Sequence, residues 1–159
     1  MKKLLSVIST SSPYTPNLTK VGKETGITDQ RTLLRYLSYL EKAEIIRSLT
    51  KDATGNMILR KPEKLYINNT NICFALEPLS ADKGTLREIF FYSQIAHENR
   101  ITATDTGDFL VNGKYCFEIG GRNKTKYRIR DRENAFLALD DIETGIFNKI
   151  PLWLFGFLY

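Results

Sequence analysis

The chain has 159 residues, 42% of them apolar, 26% charged and 11% aromatic, enough for one compact domain or two small ones and too little for a large multidomain assembly. No apolar run nears the about 18 to 20 residues that span a bilayer, and Met1-Lys2-Lys3-Leu4-Leu5 meets polar Ser9-Thr10-Ser11-Ser12 before a signal-peptide core can form. Cys73 and Cys116 make neither a disulfide framework nor a zinc site, so the expectation is a soluble cytoplasmic protein with both cysteines in its core, where the Asn-x-Thr triplets at Asn17, Asn68 and Asn123 carry no meaning.

The net charge of +5 is unevenly spread: residues 1–79 carry 12 Lys/Arg against 7 Asp/Glu, and residues 80–159 carry 11 of each. A basic half joined to a neutral half predicts two modules with different partners. Nucleic acid is a candidate for the first, beside the reading of a merely solvated surface.

In chain order, Lys2 to Ser9 predicts a short helix, broken by Ser11-Ser12-Pro13 and Pro16. Asn17 caps a second helix that runs to about Thr25, and Gly26 ends it in a left-handed turn. Thr28 or Asp29 caps a third helix to Ala43. Its apolar stripe is Leu33, Leu34, Leu37 and Leu40, at spacings of three and four. Ile45 to Leu49 and Leu65 to Ile67 predict two strands around a loop that starts at Lys51. Helix, helix, turn, helix and hairpin make a winged helix-turn-helix over residues 1–79. A nucleic-acid-reading version would place Gln30, Arg31 and Arg35 in the major groove. Lys51, Arg60, Lys61 and Lys64 would then track phosphates from the wing. The same charges read equally as the surface of a protein-interaction unit.

A short helix over Thr70 to Leu76 precedes a polar joint at Pro78 to Gly84. The second module, residues 80–159, opens with a helix over about Thr85 to Glu98, with Leu86, Ile89, Phe90 and Ser93 on one face. Strands follow at Ile101 to Thr104, Asp108 to Val111 and Lys114 to Ile119, the last two joined by Asn112-Gly113, the pair that best fits a type I′ turn. Ala135 to Leu139 is a fourth strand. The greasy run from Ile150 predicts a buried C-terminal segment, or, if Trp153 is exposed, an apolar interface.

That hairpin brings Asp108 near Glu118. Two close carboxylates repel unless a cation or proton intervenes, and their oxygens suit Mg²⁺ or Mn²⁺. Glu88 could join them from the preceding helix, or could close a capping box with Thr85. His97 is the sole histidine, which removes a histidine-based triad or zinc cluster. No Gly-x-x-x-x-Gly-Lys-Ser/Thr loop is present, so this chain alone is not expected to bind ATP.

The winged-helix stretch, Asp108-Phe109-Leu110-Val111, Phe117-Glu118-Ile119-Gly120-Gly121, Asn123-Lys124-Thr125 and Lys149-Ile150-Pro151-Leu152-Trp153-Leu154-Phe155-Gly156 together resemble one family. It is the C-terminal region of unknown function carried by many bacterial and archaeal AAA-type ATPases, in which a winged helix precedes a domain of the PD-(D/E)XK restriction-endonuclease fold. The resemblance covers essentially the whole chain and implies an α+β protein, a winged helix-turn-helix followed by an αβββαβ restriction-endonuclease-like domain. It further implies an ATPase domain as partner, lying outside this sequence.

Carried over by residue, the resemblance makes Asp108 and Glu118 the acidic motif positions and the metal ligands, and Glu88 the helix acid. The motif lysine, two residues after the second acid, is replaced by Gly120, which cannot supply a charge. Lys124 or Lys126 would have to reach in from the next segment. The expectation is a degenerate, non-cleaving site, with a divergent metal-dependent endonuclease as the alternative. The basic run Lys124, Lys126, Arg128, Arg130, Arg132 alternates like a strand, whereas the family's fold puts a helix there.

Overall fold

The structure, a computed structural model, describes residues 2–10, 12–51, 62–76 and 82–158. The chain divides into two compact units, residues 1–81 and 82–159. Together they give a mixed α+β protein: helices with a small hairpin, then a helix and a five-stranded mixed sheet.

In the first unit, α1 (Lys2–Thr10), α2 (Leu18–Thr25) and α3 (Gln30–Lys42) precede the antiparallel strands β1 (Ile46–Leu49) and β2 (Lys64–Ile67), and α4 (Thr70–Leu76) follows. Local chemistry sets the boundaries. Asn17 accepts from the Lys20 N–H to cap α2, and Gly26 ends it at φ 75°, a region that L side chains avoid. Asp29 accepts from the Arg31 and Thr32 N–H groups to cap α3. The far end of α3 closes with Glu44 at φ 55°. There the Ile45 N–H returns to the Leu40 carbonyl at 3.0 Å and the Glu44 N–H to Glu41 at 2.9 Å, the paired bonds of a Schellman end. Leu33, Leu37 and Leu40 are buried with Leu4, Ile8, Val21, Ile46, Leu49 and Leu65. Tyr14 adds a bridge beside β2, exchanging both backbone bonds with Leu65, in a stretch whose prolines predict only a break.

In the second unit, α5 (Lys83–Ile95) leads to β3 (Ile101–Thr102), β4 (Phe109–Val111), β5 (Tyr115–Gly120), β6 (Ala135–Leu139) and β7 (Lys149–Pro151), in spatial order 3-4-5-6-7. The first three strands pair antiparallel and the last two join in parallel. Asn112 and Gly113, at φ 53° and 68°, turn the β4–β5 hairpin with the two positive φ values of a type I′ turn. Phe91 of α5 meets Phe109, Phe117 and Phe155 at 5.4, 4.9 and 4.7 Å between ring centres. Helix α5 and the C-terminal 3₁₀ turn (Leu152–Phe157) therefore cover the Phe117 face of β5. Alternation along the strand puts Cys116 and Glu118 on the opposite face, where Cys116, Leu137 and Leu139 pack with Ile129.

Four expectations need correction. Helix α5 starts two residues early, because Asp82 is its cap: the Asp82 carboxylate accepts from Gly84 N–H, Thr85 N–H and the Thr85 hydroxyl. A capping box closed by Glu88 is thereby ruled out, and the buried face is Thr85, Ile89, Phe91, Tyr92 and Ile95. The basic segment is neither strand nor helix; it is an irregular crossover with one 3₁₀ turn at Tyr127–Ile129. A helix there would stack Lys124, Arg128 and Arg132 at i, i+4, and likewise Lys126 and Arg130, all repulsive pairs with only Ile129 to bury. A fifth strand, β7, extends the sheet from the greasy terminal run. Beyond it, among the described residues, only Leu152 and Phe155 are buried, while Trp153, Leu154, Phe157 and Leu158 are exposed. No helix among the described residues is long and apolar enough to cross a membrane.

The Thr85 hydroxyl bond, then the Thr85 N–H and with it Gly84 N–H, hold the Asp82 carboxyl below the usual carboxylate range. A folded-state pKa depressed below the unfolded one gives stability that is present above about pH 4 and is lost as pH falls through the folded value. Asp82→Ala is expected to lower the stability of α5 by about 1 kcal/mol at pH 7. Hydrogen exchange of the α5 amides should show the difference from wild type shrinking below about pH 4.

Candidate functional site

The hairpin register sets Phe109 opposite Phe117, so the next pair outward is Asp108 and Glu118, on the face away from α5. The Asp108 N–H donates to the Phe117 carbonyl at 2.8 Å, and the Ile119 N–H donates to Asp108 Oδ2 at 2.8 Å. Asp108 is 6% exposed and Glu118 is fully buried. Two ionised carboxylates in such a place require compensation.

Compensation comes from the irregular crossover. Lys124 Nζ lies 2.8 Å from Glu118 Oε1. Arg128 Nη1 donates to Glu118 Oε1 at 3.1 Å and to Asp108 Oδ1 at 3.2 Å, and its Nη2 donates to the Gly107 carbonyl at 3.0 Å. Burial alone would lower the Arg128 pKa, but the charges of Glu118 and then Asp108 outweigh it and raise it. The guanidinium is thus fixed as a cation. Two negative and two positive charges form a closed quartet.

Gly120 is what admits Lys124. A Cβ at residue 120 would lie 2.6, 2.7 and 2.8 Å from Lys124 Cγ, Cβ and Cδ. The lysine stem therefore crosses the space above Gly120 and delivers its ammonium to Glu118. The missing charge at position 120 and the charge at position 124 are two sides of one arrangement.

The expected helix acid does not join this group. Glu88 lies on α5, which covers the other face of β5. Among the described residues no three His, Cys, Asp or Glu side chains form a group that could hold a metal ion. Nor do the two acids fit a divalent ion as they stand. Asp108 Oδ1 and Oδ2 and Glu118 Oε1 are all committed to protein donors, and only the buried Glu118 Oε2 has no hydrogen-bond partner. Arg128 and Lys124 already hold the positions from which a cation would neutralise the pair.

In the first unit Gln30 and Arg31 begin α3, Arg35 follows one turn later, and all three are exposed. The Asp29 cap in front of them is held ionised, its pKa lowered first by the Thr32 hydroxyl and then by the Thr32 and Arg31 N–H groups. The open end of α3 is therefore filled by the protein's own anion, and Arg31 and Arg35 are the exposed cations of its first turns. Lys64 is half-buried in β2 opposite Leu49, Lys51 is exposed, and Lys61 and Arg60 lie outside the described residues. His97, just past α5, is exposed.

Sequence reasoning reached Asp108, Glu118 and Lys124 but did not separate Arg128 from the other cations of its run. The available signal was charge accounting: two buried acids need two cations, and residues 122–132 hold six against the single acid Asp131. The chain matches no protein-family model, no curated protein and no solved structure.

Removing Arg128 leaves Glu118 with Lys124 alone and Asp108 with no cation. Arg128→Ala is expected to destabilise the second unit by about 1–3 kcal/mol, below the range for a fully buried pair because the guanidinium is half exposed. Glu118→Gln added to that variant should restore at least half of the loss, a coupling that chemical denaturation of the four-member mutant cycle measures.

Proposed function

We propose that this chain is the C-terminal accessory module of an AAA-type ATPase, acting in the cytoplasm, that binds nucleic acid or a protein partner rather than cutting nucleic acid. In this reading residues 1–79 are a winged helix-turn-helix whose α3 offers Gln30, Arg31 and Arg35. Residues 80–159 are a PD-(D/E)XK-like domain whose acid pair is closed. The observation that carries the reading is the quartet of Asp108, Glu118, Lys124 and Arg128. A nuclease centre of this type needs carboxylate oxygens open to a metal that activates water. Here protein donors, among them Lys124 and Arg128, hold three of the four oxygens.

Electrostatics supports an anionic partner for the same face. Residues 122–132 carry six cations and one acid, Asp131, and the two acids that Lys124 and Arg128 bind bring the sum to +3. With the acid pair neutralised, the field left over attracts phosphate and repels metal cations. The family resemblance supplies the ATPase context.

One observation favours the alternative, a divergent metal-dependent endonuclease with Lys124 near the reacting phosphate: the unpartnered Glu118 Oε2 is an oxygen that a cation could take. Calorimetric titration of Mg²⁺ and Mn²⁺ separates the two readings. The expected result is no saturable binding at millimolar metal. Binding that Asp108→Asn and Glu118→Gln abolish would overturn the closed-site reading and establish the endonuclease as the better one.

The winged-helix half of the proposal predicts salt-sensitive binding of duplex DNA. Each phosphate contact removed should lower the slope of log K against log salt by about 1. Arg31→Ala with Arg35→Ala should therefore flatten the slope by about 2 in fluorescence anisotropy between 50 and 200 mM salt. Absence of binding to duplex or single-stranded nucleic acid at the lowest salt would leave only the protein-partner branch.

A further inference from the structure

Beside the carboxylate pair the second unit has an open cleft of about 330 Å³, lined by Thr106, Arg128, Asp131 and Arg132. Arg132 is aimed rather than neutralised. Its Nη1 donates to the Thr104 and Thr106 hydroxyls, both at 2.9 Å, and among the described residues no carboxylate pairs with it. Hydroxyl partners fix the plane of the guanidinium and leave its charge intact. Of its five N–H donors, the three on Nε and Nη2 remain for a ligand.

The other walls agree. Arg128 spends Nη1 on the two acids and one Nη2 proton on Gly107, which leaves a second Nη2 proton and Nε–H. The Thr106 oxygen accepts from Arg132, so its own proton is free to donate. The one acid of the cleft, Asp131, is matched by Arg130 Nε at 3.0 Å. Two guanidinium forks and a hydroxyl therefore converge on one concavity that keeps a positive charge.

We propose that this cleft, on Arg128, Arg132 and Thr106, binds a terminal phosphate dianion. Planar forks suit paired phosphate oxygens, and three donor groups match the three free oxygens of a phosphate monoester, where a chain phosphodiester offers two. Within the quartet Asp108 and Glu118 offset the charge of Arg128, so the charge left in the cleft is that of Arg132, and Arg128 and Thr106 contribute donors rather than net charge. The same chemistry is offered by the 5′-phosphate end of a nucleic-acid strand and by free inorganic phosphate. The proposal rests on the closed-quartet reading, because Arg128 stays at the cleft only while it holds Asp108 and Glu118.

The test is an NMR titration of the full chain at constant ionic strength. The probes are inorganic phosphate, a short single strand with a 5′-phosphate, and the same strand without it. The expected result is saturable movement of the Thr106 amide and the Arg132 side-chain signals with phosphate and with the phosphorylated strand. The strand lacking the phosphate should leave them still. Arg132→Gln should weaken binding at least tenfold, and Thr106→Val, which keeps the side-chain shape, should weaken it several-fold. Phosphate binding without a response to the phosphorylated strand would support the cleft and assign it to the free anion. Shifts that never saturate, or that survive both variants unchanged, would overturn it. Movement of the α3 amides by nucleic acid while Thr106 and Arg132 stay still would sink the cleft and leave the proposed function standing. Saturable metal binding would instead remove the reading on which the cleft rests.

Discussion

A carboxylate with no solvent exposure organises the second half of this protein. Glu118 sits on a central strand, fully buried, where an uncompensated charge would cost several kcal/mol, of the order of the stability of a whole domain. The crossover from β5 to β6 is shaped by that requirement. Lys124 and Arg128 turn inward to the acid pair, and Ile129, between sheet and solvent, anchors the segment on Cys116, Leu137 and Leu139. Gly120 is part of the same solution, since any side chain there would displace the lysine stem.

The elements legible in the sequence are those whose signals are local. Asn17, Asp29, Gly26 and Asn112-Gly113 each fix a backbone conformation through their own side chain or its absence, and each stands where its chemistry places it. The Leu33-Leu37-Leu40 stripe is likewise a property of one helix. The start of α5 was missed although the same kind of signal was present: Asp82 followed three residues later by Thr85 caps as well as Thr85 followed by Glu88 would. Both patterns were in the chain; the earlier one is used, with Asp82 taking the Gly84 and Thr85 N–H groups and the Thr85 hydroxyl.

What was not legible depends on distant partners. Tyr14 pairs with Leu65 across fifty residues, and β7 pairs with β6 through a segment whose apolar run reads as well for a helix or a plain core strand. Glu44 takes a left-handed conformation with no glycine to announce it. It does so because the two Schellman bonds and an Asn68 bond to its carbonyl pin the chain there. The candidate site lies between these cases. Its acids follow from hairpin geometry, whereas its cations come from a run of alternating charges in which only the folded chain distinguishes Arg128 from Arg130.

That distinction explains why the crossover could abandon regular structure. A helix stabilises such a connection by burying an apolar stripe, and this segment has one residue to bury. Ion pairs from Lys124 and Arg128, hydroxyl bonds from Arg132 to Thr104 and Thr106, and the single apolar plug of Ile129 take the place of the stripe. These contacts are specific in direction, unlike apolar packing, so they fix where each cation points. Cations two residues apart along an extended chain would otherwise share a face. The 3₁₀ turn at Tyr127–Ile129 breaks that alternation, sending Arg128 to the acids while Arg130 pairs with exposed Asp131. The same turn that buries the charge of Glu118 therefore leaves Arg132 uncompensated at the rim, and stability and anion recognition come from one piece of geometry.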